Sequence, residues 1–169
     1  MSDAPEGAGD GGGELAAFLP YQLSVASNAV SSLIAERYRK RFGLKIAEWR
    51  VMAVLGDAEA AGGSLTQRDL TAATLMDKVA VNRAVKVLEE RGLVARAPNP
   101  GDGRSHLLVL TGEGRGIHGE VMPLARATEA DLLAGFAPQE EAQLRRLLAA
   151  LRERATALGE RLREGPGQG

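Results

Sequence analysis

The most constraining feature of this 169-residue chain is a pair of short apolar runs joined by a charged, turn-rich segment. The runs are Leu93 to Ala97 and Ser105 to Leu110, and the joining residues, 98–104, are rich in Pro, Gly, Asn and Asp. This pattern predicts a β-hairpin with a charged tip. A helical segment with basic residues, Asp77 to Arg91, comes directly before it. A basic helix followed by a basic β-wing is a known way to hold duplex DNA, so the sequence predicts DNA binding.

Composition limits the other possibilities. Leu and Ala are abundant, which favours helix, and the length suits one ordinary domain. The chain has no cysteine, which excludes disulfides, thiolate metal sites and thiol redox switches. It has no apolar run long enough to cross a membrane, and its first residues do not resemble a signal peptide. We therefore expect a cytoplasmic protein with no membrane partner.

Both ends of the chain are predicted to be disordered. Residues 1–14 are Gly-rich and acidic, and residues 165–169 are also rich in Gly. Neither segment can bury enough apolar surface to offset the entropy lost on ordering. Residues 15–164 are therefore expected to form the folded domain.

The net charge of −1 conceals an uneven distribution. Between positions 78 and 104 the chain has six basic and three acidic residues. The basic residues are Lys78, Arg83, Lys86, Arg91, Arg96 and Arg104. A local positive stripe on a nearly neutral protein is compatible with a nucleic-acid partner.

Helical periodicity and turn signals predict six helices and the hairpin. The first helix runs from Pro20 to Gly43 and the second from Ile46 to Asp57. Thr66, with Asp69 as its capping partner, begins the third helix, and Asp77 caps a fourth helix that ends at Gly92. The fourth helix has an apolar face at Val81, Ala84, Val85 and Leu88. Two short helices and a hairpin in this order predict a winged helix-turn-helix.

Two further helices follow the hairpin. Thr111 caps a fifth helix that is expected to be kinked at Pro123 and to end near Phe136, and Pro138 opens the sixth. The sixth helix has a stripe of Leu and Ala at spacings of three and four, through Leu162. The stripe needs a partner, and the first helix together with a second subunit is expected to supply it. The predicted fold class is mainly α with a small β-hairpin wing.

Four local patterns resemble a known family. They are Phe42-Gly43-Leu44 with Glu48-Trp49-Arg50; Leu65-Thr66-Gln67-Arg68-Asp69-Leu70; Leu88-Glu89-Glu90-Arg91-Gly92-Leu93-Val94; and Asp102-Gly103-Arg104 with Leu110-Thr111. In these patterns the chain resembles the MarR family of bacterial transcription regulators. The wing pattern of that family, Asp-x-Arg, five residues and Leu-Thr, is matched from Asp102 to Thr111.

The resemblance implies an architecture and partners. It implies a homodimer in which helices over 15–43 and 112–162 serve dimerisation, while residues 46–111 form the winged helix-turn-helix. It also implies that a small aromatic or phenolic effector binds between these regions and weakens the hold on DNA. Aromatic and polar residues on the matching helices are the candidates for the effector site. They are Tyr21, Tyr38, Trp49, Arg50 and His118. For Tyr38 and Trp49 the favoured interpretation is that they are core aromatics, because aromatics at helical spacing usually pack inside.

The candidate DNA contacts lie on the third and fourth helices and at the hairpin tip. They are Thr66, Gln67, Lys78, Val79, Asn82, Arg83, Lys86, Asp102 and Arg104. Asn82 and Arg83 are expected at base edges and Lys86 at phosphate. Arg104 is expected in the minor groove, with Asp102 paired to it. The alternatives are an ordinary solvated helix face, a solvated tip arginine, and, for Val79, packing on a neighbour.

Other motifs point to no further chemistry. Gly114, Gly116 and Gly119 spell a dinucleotide-binding pattern, but no second parallel strand follows to complete a βαβ unit. The two histidines, His106 and His118, lack partners at metal-ligand spacing, and no catalytic constellation can be assembled. We therefore expect no metal, no cofactor and no enzyme activity.

The functional prediction is a homodimeric, sequence-specific transcriptional regulator, acting as a repressor on an inverted-repeat operator. The alternative is a winged-helix module for protein interaction or dimerisation that does not touch DNA. A winged-helix fragment of an enzyme is a third possibility, but the chain has no room for a catalytic domain.

Overall fold

The computed structural model describes residues 14–165, which are mostly helical with one small antiparallel sheet. The elements, in chain order, are α1 (Glu14–Ala17), α2 (Leu19–Phe42), α3 (Ile46–Ala60), β1 (Leu65–Thr66), α4 (Gln67–Thr74), α5 (Lys78–Glu90), β2 (Val94–Pro98), β3 (His106–Leu110), α6 (Gly112–Leu133) and α7 (Pro138–Glu164). The chain divides into two compact units, one ending at Arg126 and the other beginning at Ala127. The predicted fold class, mainly α with a small β-hairpin wing, is confirmed.

Some predicted boundaries were wrong. Glu14 was assigned to a disordered tail, but it begins the short helix α1; the rest of that tail lies outside the described residues, as do 166–169. Helix α3 continues past Asp57 to Ala60, and α6 ends at Leu133, before Phe136. The four-residue α1 is too short to show a helical period in the sequence, which is why it was missed.

The sheet has one strand more than the predicted hairpin. Strand β3 is central, with β2 on one side and β1 on the other, and both neighbours are antiparallel to it. Val94 pairs with Leu110 in the hairpin, and Leu65 pairs with Leu108 in the additional ladder. A segment of two residues is too short to show a period, so the sequence did not predict β1. The strand forms because its backbone pairs with the free edge of β3.

The residues predicted to end or begin helices do so at three helices, α2, α4 and α5. Gly43 adopts the left-handed conformation, with φ of 62°, and its N–H donates to the carbonyl of Arg39 at the end of α2. Asp77 caps α5 by accepting from the N–H of Ala80 at 2.8 Å. Thr66 and Asp69 form the predicted reciprocal cap at the start of α4, and hydrogen bonds from Thr66 lower the pKa of Asp69. These caps explain why the helices begin and end where the sequence indicated.

The unit that ends at Arg126 has a continuous apolar core. All four residues of the predicted apolar face of α5 are buried, at 4% exposure or less. They join large side chains from the other elements, including Met52, Leu55, Leu70, Leu108 and Leu110. Each such side chain contributes roughly 1.5–3 kcal/mol when fully buried. The core therefore fixes which face of α5 points outward.

Arg91, at the C-terminal end of α5, binds the end of α2. Its guanidinium donates to the carbonyls of Phe42, at 2.6 Å, and Gly43, at 3.2 Å. The same group lies 3.8 Å from the buried carboxylate of Glu48, which also accepts from the N–H of Lys45 at the start of α3. One arginine thus joins the ends of three helices, which gives two of the family-like sequence patterns a structural role.

The glycine pattern after the hairpin has a packing role. The N–H of Thr111 donates to the carbonyl of Leu93 at 3.0 Å, which brings the start of α6 against the start of the hairpin. A Cβ atom at Gly114 would lie 2.0 Å from that carbonyl oxygen, whereas one at Gly116 would meet nothing within 4 Å. Gly114 is therefore required by a close approach. Pro123 lies within α6, which continues through it.

We predict opposite effects for alanine at two of these glycines. Gly114→Ala should destabilise the protein by about 1–3 kcal/mol, because the new methyl group overlaps the Leu93 carbonyl. Gly116→Ala, the matched control two residues away, should raise the free energy of unfolding by about 0.5–1 kcal/mol through helix propensity alone. Urea unfolding of the three proteins measures both effects. Equal stability of the two variants would contradict the close approach.

The leucine stripe of α7 is exposed within the chain. Its members are 39–83% accessible to solvent, namely Leu144, Leu147, Leu148, Leu151, Leu158 and Leu162. The N-terminal half of α2 also carries exposed apolar side chains: Leu19, Tyr21, Val25 and Val30. Leaving this much apolar surface in water is unfavourable.

Candidate functional site

Helix α5 presents its polar face to solvent. The five residues predicted on this face, Lys78, Val79, Asn82, Arg83 and Lys86, are all exposed. Val79 is 57% accessible, so it is not buried in the core. The opposite face is buried in the core, which leaves α5 no freedom to rotate about its axis. A protruding helix with three cations can lie in a DNA groove.

Two grooves lie beside α4 and share its side chains Gln67 and Arg68. One, of about 440 Å³, lies between α4 and the hairpin and is lined by Thr66, Gln67, Arg68, Asp69, Arg96, Asn99, Asp102, Arg104, Ser105 and His106. The other, of about 610 Å³, lies between α4 and α5 and is lined by Gln67, Arg68, Thr71, Ala72, Lys78 and Asn82. The two grooves share Gln67 and Arg68 and bring together six of the predicted residues, namely Thr66, Gln67, Lys78, Asn82, Asp102 and Arg104. Val79, Arg83 and Lys86 line neither groove and are exposed on α5. We call the two grooves, together with the exposed side of α5, the basic face.

Sequence reasoning missed Arg68 as a member of the basic face. Arg68 is exposed and lines both grooves. It follows Gln67 directly in one of the family-like patterns, and that position was the available signal. We add Arg68 to the candidate phosphate contacts.

A chain of hydrogen bonds crosses the basic face from the hairpin to α5. Arg96, on β2, donates to both carboxylate oxygens of Glu89, at 2.7 and 3.3 Å, and to the amide oxygen of Gln67 at 3.2 Å. The amide nitrogen of Gln67 in turn donates to the Asn82 side-chain oxygen. Arg96 was predicted only as part of a positive stripe, but it is paired and holds two candidate DNA contacts in place.

The hairpin tip differs from its predicted arrangement. The carboxylate of Asp102 accepts from the backbone N–H of Arg104 at 3.0 Å, and no side-chain ion pair joins the two within residues 14–165. The expected pairing of Asp102 with the Arg104 guanidinium was therefore wrong. Asp102 shapes the turn, because a carboxylate two residues before an N–H closes a local ring. Arg104 extends, exposed, from a turn that Asn99 and Ser105 also bridge at 2.8 Å.

Lys86 has a partner on its own helix. Its ammonium lies 3.8 Å from the carboxylate of Glu90, one turn further on. Both side chains are more than 60% exposed, so this pair is weak and readily exchanged for a phosphate. The predicted role of Lys86 at phosphate is compatible with this geometry.

Three of the candidate effector residues form a row of rings in the unit that ends at Arg126. The ring centroid of Trp49 lies 5.7 Å from that of Tyr38 and 5.7 Å from that of His118. Burial raises the pKa of Tyr38 to about 12, and Arg50 is close enough to oppose this rise. Tyr21 lies about 25 Å from Tyr38 along α2, given 1.5 Å per helical residue, so the structure does not bring it to the row.

His118 rests on the backbone of α3. A Cβ atom at Gly56 would lie 2.4 Å from the Nε2 atom of His118, so glycine is required for the ring to fit. Burial lowers the pKa of His118, and Arg126 acts in the same direction, whereas Glu59 and Asp57 oppose it. Burial therefore favours the neutral form of the imidazole, whose ring is stacked on that of Trp49.

The remaining sequence expectations concern metals and membranes. His106 lies on β3 and His118 on α6, and within residues 14–165 no group of three potential metal ligands occurs. None of the described helices combines the length and apolar character that a membrane crossing requires.

Comparisons with known proteins agree with this geometry. The sequence model that describes the MarR family matches residues 42–105 of this chain. The HTH-type transcriptional regulator YwoH of Bacillus subtilis is 30% identical over 117 residues, which are 68% of this chain and 82% of YwoH. The chain belongs to the MarR family.

Solved structures extend the likeness. A MarR/EmrR family transcriptional regulator from Acinetobacter is 28% identical, with a TM-score of 0.73 over 82% of this chain and 94% of that one. BpsR of Bordetella bronchiseptica, whose DNA binding is regulated by 6-hydroxynicotinic acid, is 24% identical, with a TM-score of 0.68 over 80% of this chain and 93% of BpsR. This MarR-family protein is thus a transcriptional regulator with a winged-helix DNA-binding fold, and its relatives are regulators, not enzymes.

The depressed pKa of His118 predicts a pH dependence of stability. Below pH 6.5, the ordinary value, the unfolded chain binds a proton that the folded chain resists, so acidification should favour unfolding. The free energy of unfolding should therefore fall as the pH falls through 6.5 towards the folded-state pKa. His118→Gln should reduce this slope, and His106→Gln is the control for removing an exposed histidine. Urea unfolding across this range, at fixed protein concentration, measures the slopes, and identical slopes for both variants would contradict the prediction.

Proposed function

We propose that this MarR-family regulator is a homodimeric, sequence-specific repressor that binds an inverted-repeat operator and is released by a small aromatic effector. The single observation that carries the DNA-binding part is the basic face, on which the exposed side of α5, the start of α4 and the hairpin tip form one surface.

The residues of the basic face divide by the chemistry of their side chains. Arg83 and Asn82, which protrude from α5, suit base edges in the major groove, and the exposed Val79 suits a thymine methyl. Lys78, Lys86, Thr66 and Gln67 surround them and suit phosphate or supporting contacts. Arg104 extends from a tight turn shaped by Asp102 and suits the negative potential of the minor groove.

We propose that residues 46–111 are the DNA-reading part, and that helices over 15–43 and 112–162 are the dimerisation part. The exposed leucines of α7 and the exposed apolar residues of α2 support this division, since a second copy of the chain could cover them. Two α5 helices related by a two-fold axis would enter successive major grooves. The operator would then be an inverted repeat with half-sites about 10 base pairs apart.

A charge on the α7 stripe tests the dimer. Leu148→Glu should convert the dimer to a monomer, because burying an unpaired carboxylate in an apolar interface is strongly unfavourable. The side chain is 47% exposed in the single chain, so the substitution should spare the fold of the subunit. Arg146→Glu, on the opposite side of α7, is the matched control and should remain dimeric. Sedimentation analysis gives the masses, and a monomeric wild type would contradict the proposal.

Arginine substitutions on the basic face test DNA binding. Arg83→Ala should cost about 1–3 kcal/mol in affinity and relax the preference at one base position in each half-site. Arg104→Ala should weaken binding more than twofold, whereas Arg146→Ala, which removes an equal charge from α7, should bind like the wild type.

The measurement is a gel shift on duplexes selected by the wild-type protein from a random pool, repeated at several salt concentrations. Sequence preference with a steep salt dependence is expected, because lysine and arginine contacts release counterions from the phosphates. A wild-type protein that selects no sequence would contradict the proposal and favour an interaction module that uses the same fold.

The effector part of the proposal rests on the ring row of Tyr38, Trp49 and His118, with Arg50 beside it. Planar rings and a nearby guanidinium suit an aromatic acid. Trp49 is the single tryptophan, so its fluorescence reports on this place, and 6-hydroxynicotinic acid is the first compound to test. A ligand that favours a dimer with misplaced α5 helices must weaken DNA binding by the factor by which DNA weakens the ligand.

A further inference from the structure

We infer that Asn82 reads the operator as a hydrogen-bond donor, and that Arg96 of the hairpin sets this polarity through Gln67. The inference rests on the proposed function, because it names the base chemistry that the basic face recognises. It starts from the chain of hydrogen bonds that joins Glu89, Arg96, Gln67 and Asn82.

The direction of the chain is decided at Arg96. A guanidinium can donate hydrogen bonds but cannot accept them, and it stays charged at all relevant pH values. Two hydrogen bonds to Glu89 hold the Arg96 side chain on β2, and its Nη2 atom lies 3.2 Å from the Gln67 amide. The Gln67 atom that faces Arg96 must therefore be the oxygen, Oε1.

The orientation of Gln67 then decides the orientation of Asn82. With Oε1 committed to Arg96, the Gln67 Nε2 atom points to Asn82 and donates to it. The Asn82 atom that receives this bond must be its oxygen, Oδ1, because an amide nitrogen does not accept. The Asn82 Nδ2 atom has no hydrogen-bond partner among residues 14–165, and its side chain is exposed on α5. The group left for DNA is an N–H donor.

A donor selects among the base edges of the major groove. Guanine presents two acceptors there, N7 and O6, whereas cytosine presents only its N4 donor group. The usual pairing of asparagine with adenine needs Oδ1 to accept from the adenine N6 group, whereas here Oδ1 is turned towards Gln67 and accepts from it, which leaves Nδ2 as the outward group. Asn82 should therefore favour guanine and disfavour cytosine at the base it contacts.

The test compares operators that differ at one base pair. The contacted position is the one at which Asn82→Ala loses its base preference. At that position the wild type should bind guanine about 5- to 150-fold more tightly than cytosine, which corresponds to 1–3 kcal/mol for a good base contact.

Gln67→Glu should reverse this preference. A glutamate at position 67 accepts from Arg96 and cannot donate, so the Asn82 amide must turn its Nδ2 atom inward and present Oδ1 to the DNA. The variant should then favour cytosine over guanine at this position. The added negative charge should lower affinity for all operators alike, so the ratio between operators is the readout.

Variants of Arg96 test its role as a positioning residue. Arg96→Met removes the donor that orients Gln67, and the guanine preference should fall to within about twofold of none. Arg96→Lys keeps a group that can only donate and should preserve the preference. Arg68→Met, the matched control, removes a cation from the same grooves outside the chain of hydrogen bonds; it should weaken all operators equally and keep the guanine preference. Thermal unfolding establishes that each variant is folded.

The outcomes separate this inference from the proposed function. If Gln67→Glu and Arg96→Met weaken all operators equally and leave the guanine-to-cytosine ratio unchanged, the inference is wrong while sequence-specific binding stands. A cytosine preference of the wild-type protein would also overturn it. If the wild type selects no sequence at all, the proposed function fails, and the inference fails with it.

Discussion

The burial of one face of α5 is the constraint on which the rest of this structure depends. Val81, Ala84, Val85 and Leu88 are spaced so that they lie on one side of a helix, and all four are packed in the core. Rotating α5 to bury its other face would place Lys78, Arg83 and Lys86 in an apolar interior, at a cost of several kcal/mol for each unpaired charge. The core thereby fixes the side chains that α5 presents to solvent.

Backbone carbonyls hold the neighbouring elements around that core. Arg91 binds the last carbonyls of α2 and approaches the carboxylate of Glu48, so the end of α5 is tied to the start of α3. At the open end of the hairpin, the Leu93 carbonyl accepts from the N–H of Thr111 and leaves room only for a glycine at position 114. Glu59 adds a third link, since it accepts from the N–H of Leu110 and from Arg115, each at 2.8 Å. The regions that MarR-family sequence patterns mark are thus largely the places where elements are joined.

Some of the cations predicted on the basic face are paired with other groups of the protein, so the number of cations in the sequence overstates the exposed charge. Of the six cations between positions 78 and 104, Arg91 and Arg96 serve internal contacts, and Lys86 has a weak partner in Glu90. Arg68, outside that stretch, joins the face instead. The cations exposed on this face are therefore a different set of residues than the stripe in the sequence.

Several features could be predicted because they depend on neighbours along the chain. The periodicity of α5, the caps at Thr66 and Asp77, the stop at Gly43 and the hairpin signals all act within a few residues, so the winged helix-turn-helix and its basic face were predictable. Four features could not be predicted in this way. They are strand β1, the hydrogen-bond partner of the Asp102 carboxylate, the packing of His118 over Gly56, and the hydrogen bonds from Arg96 to Gln67 and from Gln67 to Asn82. Each of these features brings together residues whose distance depends on how the elements pack, or it depends on which of several donors in a turn is used. The spacing of residues along the chain does not specify either.

The sequence by itself therefore determined which elements form and which faces are apolar, since local hydrogen bonding and periodic burial govern both. Only the tertiary structure decided which polar atoms are occupied and which remain for DNA, because that depends on the side chains that packing brings together.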